Sequence, residues 1–430
     1  MNRTGGLLLT ILLLVACSDG GGEGAGIYGV SGCATEQKNE ILHRAMLDRY
    51  YWYDRVPSTI DYASFDSPEQ TLDYLRFGVL DRFSYIASAT AFDNLINHGT
   101  YIGYGFSFVL DSNDRAWIRF VYTQSVAANR GMVRGDEILS INGQTVAAVI
   151  AADAWDSIFG VAQIGLPLSI QLRRKSNAID TLMMNKATVI INSVLHSETW
   201  ASGANVIGYL VFNSFLNTSV AEFTPVFAQF KAAGVNQLIL DLRYNGGGSV
   251  AVGRELVSYI KSTNAVDTDL YVALRYNDKY QANNYNFFFQ PRAGSLGLSE
   301  ITVISSASTC SASEQLISGL KPYLDRVTTI GSTSCGKPVG MNPQNFCDLT
   351  LLAVNFASFN ASQQGDYFSG IPADCAATDD VGFDLGDADE PMLQAAQYYI
   401  DNQSCLSAGR GSGQKSGSPP QGIKAIIGAV

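Results

Sequence analysis

Residues 301–320 read ITVISSASTCSASEQLISGL. The apolar run from Ile301 to Ser305 has the length of a buried strand, and SEQLISGL reads as a helix. Between them lies STCSASE, residues 308–314, with three serines and a glutamate in seven positions. Small hydroxyl residues at a strand-to-helix turn mark a nucleophile. Histidine is the usual proton acceptor for such a serine. The chain has His43, His98 and His196, all more than a hundred residues before this stretch. Another base is therefore worth seeking.

Outward from this turn, strand and helix patterns alternate from 195 to 403. VIGYLVF (206–212), QLILDLR (237–243) and VTTIG (327–331) read as strands. SVAEFTPVFAQFKAAG reads as a helix opened by a Ser219…Glu222 capping box and closed by Gly234, with Val220, Phe223, Phe227 and Phe230 on one face. YNGGGSVAVGRELVSYI is a glycine turn running into another helix. The expected fold is an α/β core with a mixed sheet. Three segments fall at strand ends: Asp241–Gly248, Ser308–Glu314 and Gly331–Lys337. Loops leaving the carboxyl ends of parallel strands converge at one sheet edge, where a site can assemble.

Residues 98–190 have a different texture. YIGYGFSFVL and AWIRFVY read as strands around the turn DSND, followed by a helical stretch near 147–159 and the strands LSIQLRR and TLMMNKATVII. Gly103-Tyr104-Gly105-Phe106 and GMVRGD (131–136) with ILSINGQ behind it resemble the carboxylate-binding loop and its companion segment in PDZ domains. Glycines there let successive backbone N–H groups point into one concavity that can hold a carboxylate.

The N-terminal part, 35–97, reads as helical. Its SPEQ segment places Ser67 as N-cap and Pro68 at the first helical position, with Gly78 at the far end. The aromatic run RYYWYDRVP (49–57) reads as packing against a neighbouring domain. Residues 1–16 carry Arg3 and an apolar run too short to span comfortably, the pattern of a signal peptide. Leu14-Val15-Ala16-Cys17 resembles a bacterial lipobox, which implies lipidation of Cys17, a tether over 17–34, and a membrane-anchored protein of the cell envelope, sorted to the outer membrane by the Ser18 pattern. Residues 404–430 read as a low-complexity tail. A formal charge of −11 argues against a nucleic-acid partner. Removing Cys17 leaves Cys33, Cys310, Cys335, Cys347, Cys375 and Cys405, an even set suited to disulfides in an exported protein, with the pairing open. No spacing points to a metal site or a cofactor.

The three strand-end segments resemble the C-terminal processing peptidases, or tail-specific proteases, a family of serine–lysine peptidases in which a PDZ domain precedes the catalytic core. The family's Ser-Ala-Ser-Glu motif matches Ser311–Glu314, and its Gly-Lys segment matches Gly336-Lys337, 26 residues beyond Ser311. LDLRYNGGG matches a third motif. The resemblance implies Ser311 as nucleophile, Lys337 as base, and an oxyanion hole from the N–H groups of Ala312 and Gly247, with Gly248 next. It also implies that Gly103, Tyr104, Gly105 and Phe106 recruit polypeptide substrates by their free C-termini. Glu314 takes an orienting role; Asp241 and Arg243 hold the glycine turn. Many family members place a glutamine four residues after the lysine; here that residue is Met341, with Asn342 and Gln344 as possible substitutes.

The chemistry is consistent. A serine hydroxyl needs a nearby base to become nucleophilic at neutral pH. Bringing a lysine from about 10.4 to near 7 takes roughly 4–5 kcal/mol of bias against the ammonium, which apolar burial can supply. The alternatives are a catalytically inactive PDZ-bearing lipoprotein that binds peptides, a surface-binding lipoprotein in which Lys337 is a solvated charge, and a Ser-x-x-Lys acyltransferase. The last needs lysine three residues after serine, where Glu314 stands.

Overall fold

Buried parallel strands are covered on both faces, so they read as unbroken apolar runs rather than alternating ones. LILDL and ITVIS obey this rule. The computed structural model describes residues 28–261 and 268–406 and places them in a six-stranded mixed sheet. Its strands run, in spatial order, Val194–Ser202, Asn205–Phe212, Gln237–Asp241, Glu300–Ser305, Arg326–Gly331 and Cys375–Ala376. The first pair is antiparallel and the rest are parallel, with Leu210 beside Leu240, Leu240 beside Val303, and Val303 beside Thr329.

Alternate residues divide between two cores. Leu210, Phe212, Leu238, Leu240 and Val303 face the helices Ser219–Ala233, Val250–Ile260 and Ala312–Leu320 through Phe223, Phe227, Leu256 and Leu316. Ile207, Tyr209, Ile239, Ile304 and Ile330 face the last helix, Pro391–Asn402, through Met392, Leu393, Ala396 and Ile400. Each such side chain contributes about 1.5–3 kcal/mol on burial. The three-layer stack aligns the carboxyl ends of strands 237–241, 300–305 and 326–331, which is what brings their loops together.

The expected capping box on the helix Ser219–Ala233 is absent in that form. Thr218 is the N-cap, and Ser219, already inside the first turn, donates its hydroxyl to Ser214 O. Glu222 reaches outward instead and accepts from the N–H groups of Ser193 and Val194. Pairing with a neighbouring strand outcompeted the local cap.

The LDLR turn is held as expected. Arg243 is fully buried, with Nε on Asp241 and both terminal nitrogens on Glu390, the N-cap residue of the last helix. Asp379 bridges Arg243 and Arg134, the arginine of GMVRGD. Burial alone would raise the Asp379 carboxyl, but these two guanidiniums hold it well below the ordinary carboxylate range. The β-rich module is thereby bolted to the core through a buried ionic cluster.

That module contains a sheet in the order Phe106–Leu110, Ala116–Val121, Glu137–Ile141, Pro167–Arg173 and Ile179–Asn185, while Thr100–Gly103 pairs with Ala187–Ile190. TLMMNKATVII is thus two strands, and the helical stretch is two short helices, Val146–Ala151 and Trp155–Phe159.

In the N-terminal part, Thr35–Arg49 and Pro68–Leu75 are helices, the second capped by Ser67 as expected but ending three residues before Gly78. The strand Tyr85–Ser88 pairs with Leu349–Leu352, and residues 30–86 share one apolar cluster with Val339, Phe346, Leu351 and Val354. Trp52 of the aromatic run packs on Phe368 of the core. All six cysteines among the described residues pair: Cys33–Cys347, Cys310–Cys335 and Cys375–Cys405. Cys310, next to Ser311, is therefore bonded to Cys335 and is not a free thiol. The signal, Cys17 and residues 407–430 of the tail lie outside the described residues. Among the described residues no helix is long and apolar enough to cross a membrane.

Candidate active site

Which serine of STCSASE can attack is decided by exposure and engagement. Ser313 is fully buried and donates its hydroxyl to Asn245 O at 3.1 Å. Ser308 is partly exposed like Ser311, but it lies three residues before the helix N-cap, with its N–H on Ser306 Oγ rather than on Glu314. Ser311 is half-buried, is the N-cap residue of the helix Ala312–Leu320, and has φ 57° and ψ −115°. A non-glycine residue held in that region stores about 1–3 kcal/mol of strain and persists only where its surroundings impose it. Here they do. Cys310 N–H donates to Asn245 O at 3.0 Å, and Thr309 Oγ1 donates to Leu242 O at 2.8 Å, stitching the serine turn to the LDLRYN turn.

The glycine turn meets Ser311 from the other side. Gly247 has φ +100°, and a Cβ built on it would lie 2.8 Å from both Cys310 O and Ser311 Cβ and 3.1 Å from Ala312 N. Glycine is needed for that approach. Its N–H, however, donates to Asn245 Oδ1 at 2.9 Å, so this donor is engaged within its own turn. Ala312 is the first residue of its helix, where N–H groups lack an intrahelical acceptor and the helix end is electropositive.

Glu314 organises the site. It is fully buried one turn into the helix. Its Oε2 accepts from Ser311 N at 2.9 Å and Lys337 N at 2.8 Å; its Oε1 accepts from Gly336 N at 2.7 Å and from the Ser334 hydroxyl. One carboxylate thus holds the backbone of both the serine and the lysine. Burial pushes its pKa up, and the four donors oppose that shift without cancelling it. Cys310, Glu314 and Cys335 crowd within 4.8 Å of one another, but the two sulfurs are bonded together and offer no thiolate to a metal.

Lys337 is half-buried, with Nζ 5.4 Å from the centre of the Phe83 ring. Beyond it, Val339–Gly340 pairs with Phe356–Phe359 and anchors the loop's far end. The substitutes considered for the family glutamine are occupied elsewhere. Met341 packs in the N-terminal cluster, Asn342 donates to Tyr276 Oη, and Gln344 accepts from Tyr28 Oη.

Sequence reasoning missed Arg82. Its Nη2 donates to Cys335 O at 2.7 Å, Phe368 O at 3.2 Å and Gly336 O at 3.3 Å. Asp81 builds the turn that delivers it, accepting from Phe83 N, Ser84 N and Tyr50 Oη. The available signal was DRFS, an aspartate able to fold the following backbone onto itself, but nothing in it named its target. Replacing Arg82 with alanine is expected to lower kcat about tenfold with little change in KM, measured by steady-state cleavage; an unchanged kcat would show that the lysine loop does not need it.

In the β-rich module, Gly105 has φ +91°, and a Cβ there would fall 2.0 Å from Ser125 Cβ. Tyr104 is buried, and its C=O accepts from Ala127 N. Phe106 opens an edge strand of the sheet. The loop Gly103–Phe106 thus lies in the β-module, outside the turns that gather around Ser311.

A strained serine at the carboxyl edge of an αβα sheet, backed by a lysine loop, is the architecture of a serine hydrolase. Residues 206–377 match Peptidase family S41, and residues 37–85 match the Peptidase S41 N-terminal domain. The chain belongs to peptidase family S41. It is 24% identical over 216 residues to the carboxy-terminal processing protease CtpB of Bacillus subtilis, covering 50% of this chain and 42% of that protein. It is 23% identical over 288 residues to a carboxyl-terminal-processing protease of Picosynechococcus, covering 66% of each. The chain thus spans between about two-fifths and two-thirds of these relatives' lengths. A solved structure of an S41 protease from Bacteroides fragilis superposes with a TM-score of 0.69 at 24% identity, covering 84% of this chain and 97% of that one.

Proposed function

We propose that this chain is a serine endopeptidase in which Ser311 attacks a peptide carbonyl and Lys337 takes the hydroxyl proton. The observation that carries the reading is the shared acceptor: Glu314 Oε2 holds the N–H of both Ser311 and Lys337, so two motifs 26 residues apart belong to one site. To take that proton Lys337 must be in its neutral form, since an ammonium has no acceptor. The tetrahedral oxyanion forms at the start of the helix Ala312–Leu320. Ala312 N–H supplies one donor, and the Gly247–Gly248 turn supplies the second once Asn245 releases Gly247 N–H. Collapse of that intermediate expels the amine, with the lysine returning the proton. Water then repeats the sequence on the acyl-serine.

Substrates are polypeptides recruited by their C-termini. The loop Gly103–Phe106 takes the carboxylate on backbone N–H groups, and the edge strand Phe106–Leu110 receives the tail as an added strand. The resemblance of Leu14-Val15-Ala16-Cys17 to a lipobox supports a lipid anchor at Cys17 in a bacterial envelope. Nothing observed favours the catalytically inactive alternative.

The test is incubation of the purified chain with an unfolded protein bearing a free C-terminal tail, and with the same protein amidated at its C-terminus. Fragments and labelling of Ser311 by a fluorophosphonate are expected, with the amidated substrate cut about tenfold more slowly. Absence of cleavage and labelling removes the peptidase reading; equal rates for both substrates remove tail recruitment alone.

A further inference from the structure

Two of the three disulfides secure chain ends. Cys33–Cys347 ties the segment before the first helix to a hairpin, and Cys375–Cys405 ties the last strand to the chain beyond the last helix. The third is placed differently. It joins Cys310, the residue before Ser311, to Cys335, two residues before Lys337, with Cα atoms 5.2 Å apart.

We propose that the Cys310–Cys335 disulfide is a positioning element for the Ser311–Lys337 pair, and that its reduction by a dithiol lowers catalysis while the fold persists. The proposal rests on the assignment of that pair above. The strands carrying the two loops are paired only as far as Ser305 and Gly331. Past that point the two loops are joined by single hydrogen bonds, Ser332 N on Ser305 O and Cys335 N on Thr309 O, and by the Glu314 carboxylate, and the disulfide adds a covalent link. Each cysteine is itself anchored by its N–H, Cys310 on Asn245 O and Cys335 on Thr309 O, each at 3.0 Å. The bond therefore links two fixed pieces of backbone rather than two loose ends. Misplacing reacting groups by about 1 Å can cost on the order of a hundredfold in rate.

Reduction also introduces a competitor. Cys335 Sγ lies 3.5 Å from Glu314 Oε2, the oxygen that accepts from both Ser311 N and Lys337 N. As a thiol, Cys335 gains an S–H donor beside an acceptor already in use. Both cysteines are partly exposed, so a small dithiol can reach them. A thiolate of the reductant attacks one sulfur, breaking the Cys310–Cys335 bond. The reductant's second thiol then closes it into its own disulfide, and two electrons and two protons pass to the cysteines as two thiols.

The experiment compares the full chain with its Cys310→Ser/Cys335→Ser double variant, which keeps the other two disulfides, with and without dithiothreitol. The double variant is expected to show kcat roughly 10–100-fold lower with KM within about twofold, and no further loss on adding reductant. Native protein should lose a similar factor under mild reduction and regain it on reoxidation. Amide exchange gives a readout independent of turnover. Gly336 and Lys337 N–H should exchange at least about tenfold faster after reduction, while strand 237–241 stays protected. Unchanged exchange at these amides together with unchanged kcat in the double variant overturns the proposal. Faster exchange in a protein that never cleaves supports the clamp and counts against the peptidase reading instead.

Discussion

Lys337→Arg is expected to lose catalysis as completely as Lys337→Ala, at least about a thousandfold in kcat. The comparison separates two roles that deletion alone confuses. If the lysine stabilised charge as a cation, arginine would retain part of the activity. If it accepts the serine proton, arginine cannot serve, because its guanidinium stays protonated in proteins. Ser311→Ala should fall to the same floor, since nucleophile and base act as one unit and their losses do not add. The measurement is turnover of a tail-bearing substrate, with thermal melting to confirm folding. Activity of the arginine variant within tenfold of wild type would sink the proton-acceptor role while leaving Ser311 in place.

Glu314→Gln is expected to reduce kcat about a hundredfold and to lower stability by less than the lost hydrogen bonds alone would. The amide offers one acceptor oxygen where the carboxylate offers two, so two of the four donors from Ser311, Ser334, Gly336 and Lys337 lose their partner. Each buried donor left unmet costs about 1–3 kcal/mol. Against this stands the relief of a buried charge. Folding raises the Glu314 pKa above its ordinary 4.5. A carboxyl group raised in this way contributes stability fully below the unfolded value and loses it as pH climbs through the folded one. At neutral pH its charge therefore opposes folding, and removing it offsets part of the hydrogen-bond loss. The geometric loss has no such offset, because the serine and lysine loops no longer share an acceptor. Melting curves and kcat at neutral pH check this together. A variant that keeps a third or more of wild-type turnover would show that Glu314 does not organise the site.

Much of the architecture is legible in local pattern. The apolar runs 206–212, 237–243, 301–305 and 327–331 became core strands because parallel strands buried on both faces admit few other residue types. The Ser67 cap and the DSND turn formed where short-range chemistry alone decides, Asp111 accepting from Asn113 N and Arg115 N. Local reading failed where a distant partner intervened. Glu222 turned away from its own helix start to the N–H groups of Ser193 and Val194.

The sequence by itself determined the strand-and-turn order, and with it which loops leave the same sheet edge; it also carried the serine, glutamate and lysine that meet there. Only the tertiary structure decided that Glu314 is the acceptor common to Ser311 and Lys337, that Cys310 pairs with Cys335, and that Arg82 reaches the lysine loop from 253 residues away. The reason is physical. Backbone propensity and apolar periodicity act over a few residues and leave their mark in the string, whereas a buried carboxylate or guanidinium takes whichever donors or carbonyls the packed layers bring within hydrogen-bond reach.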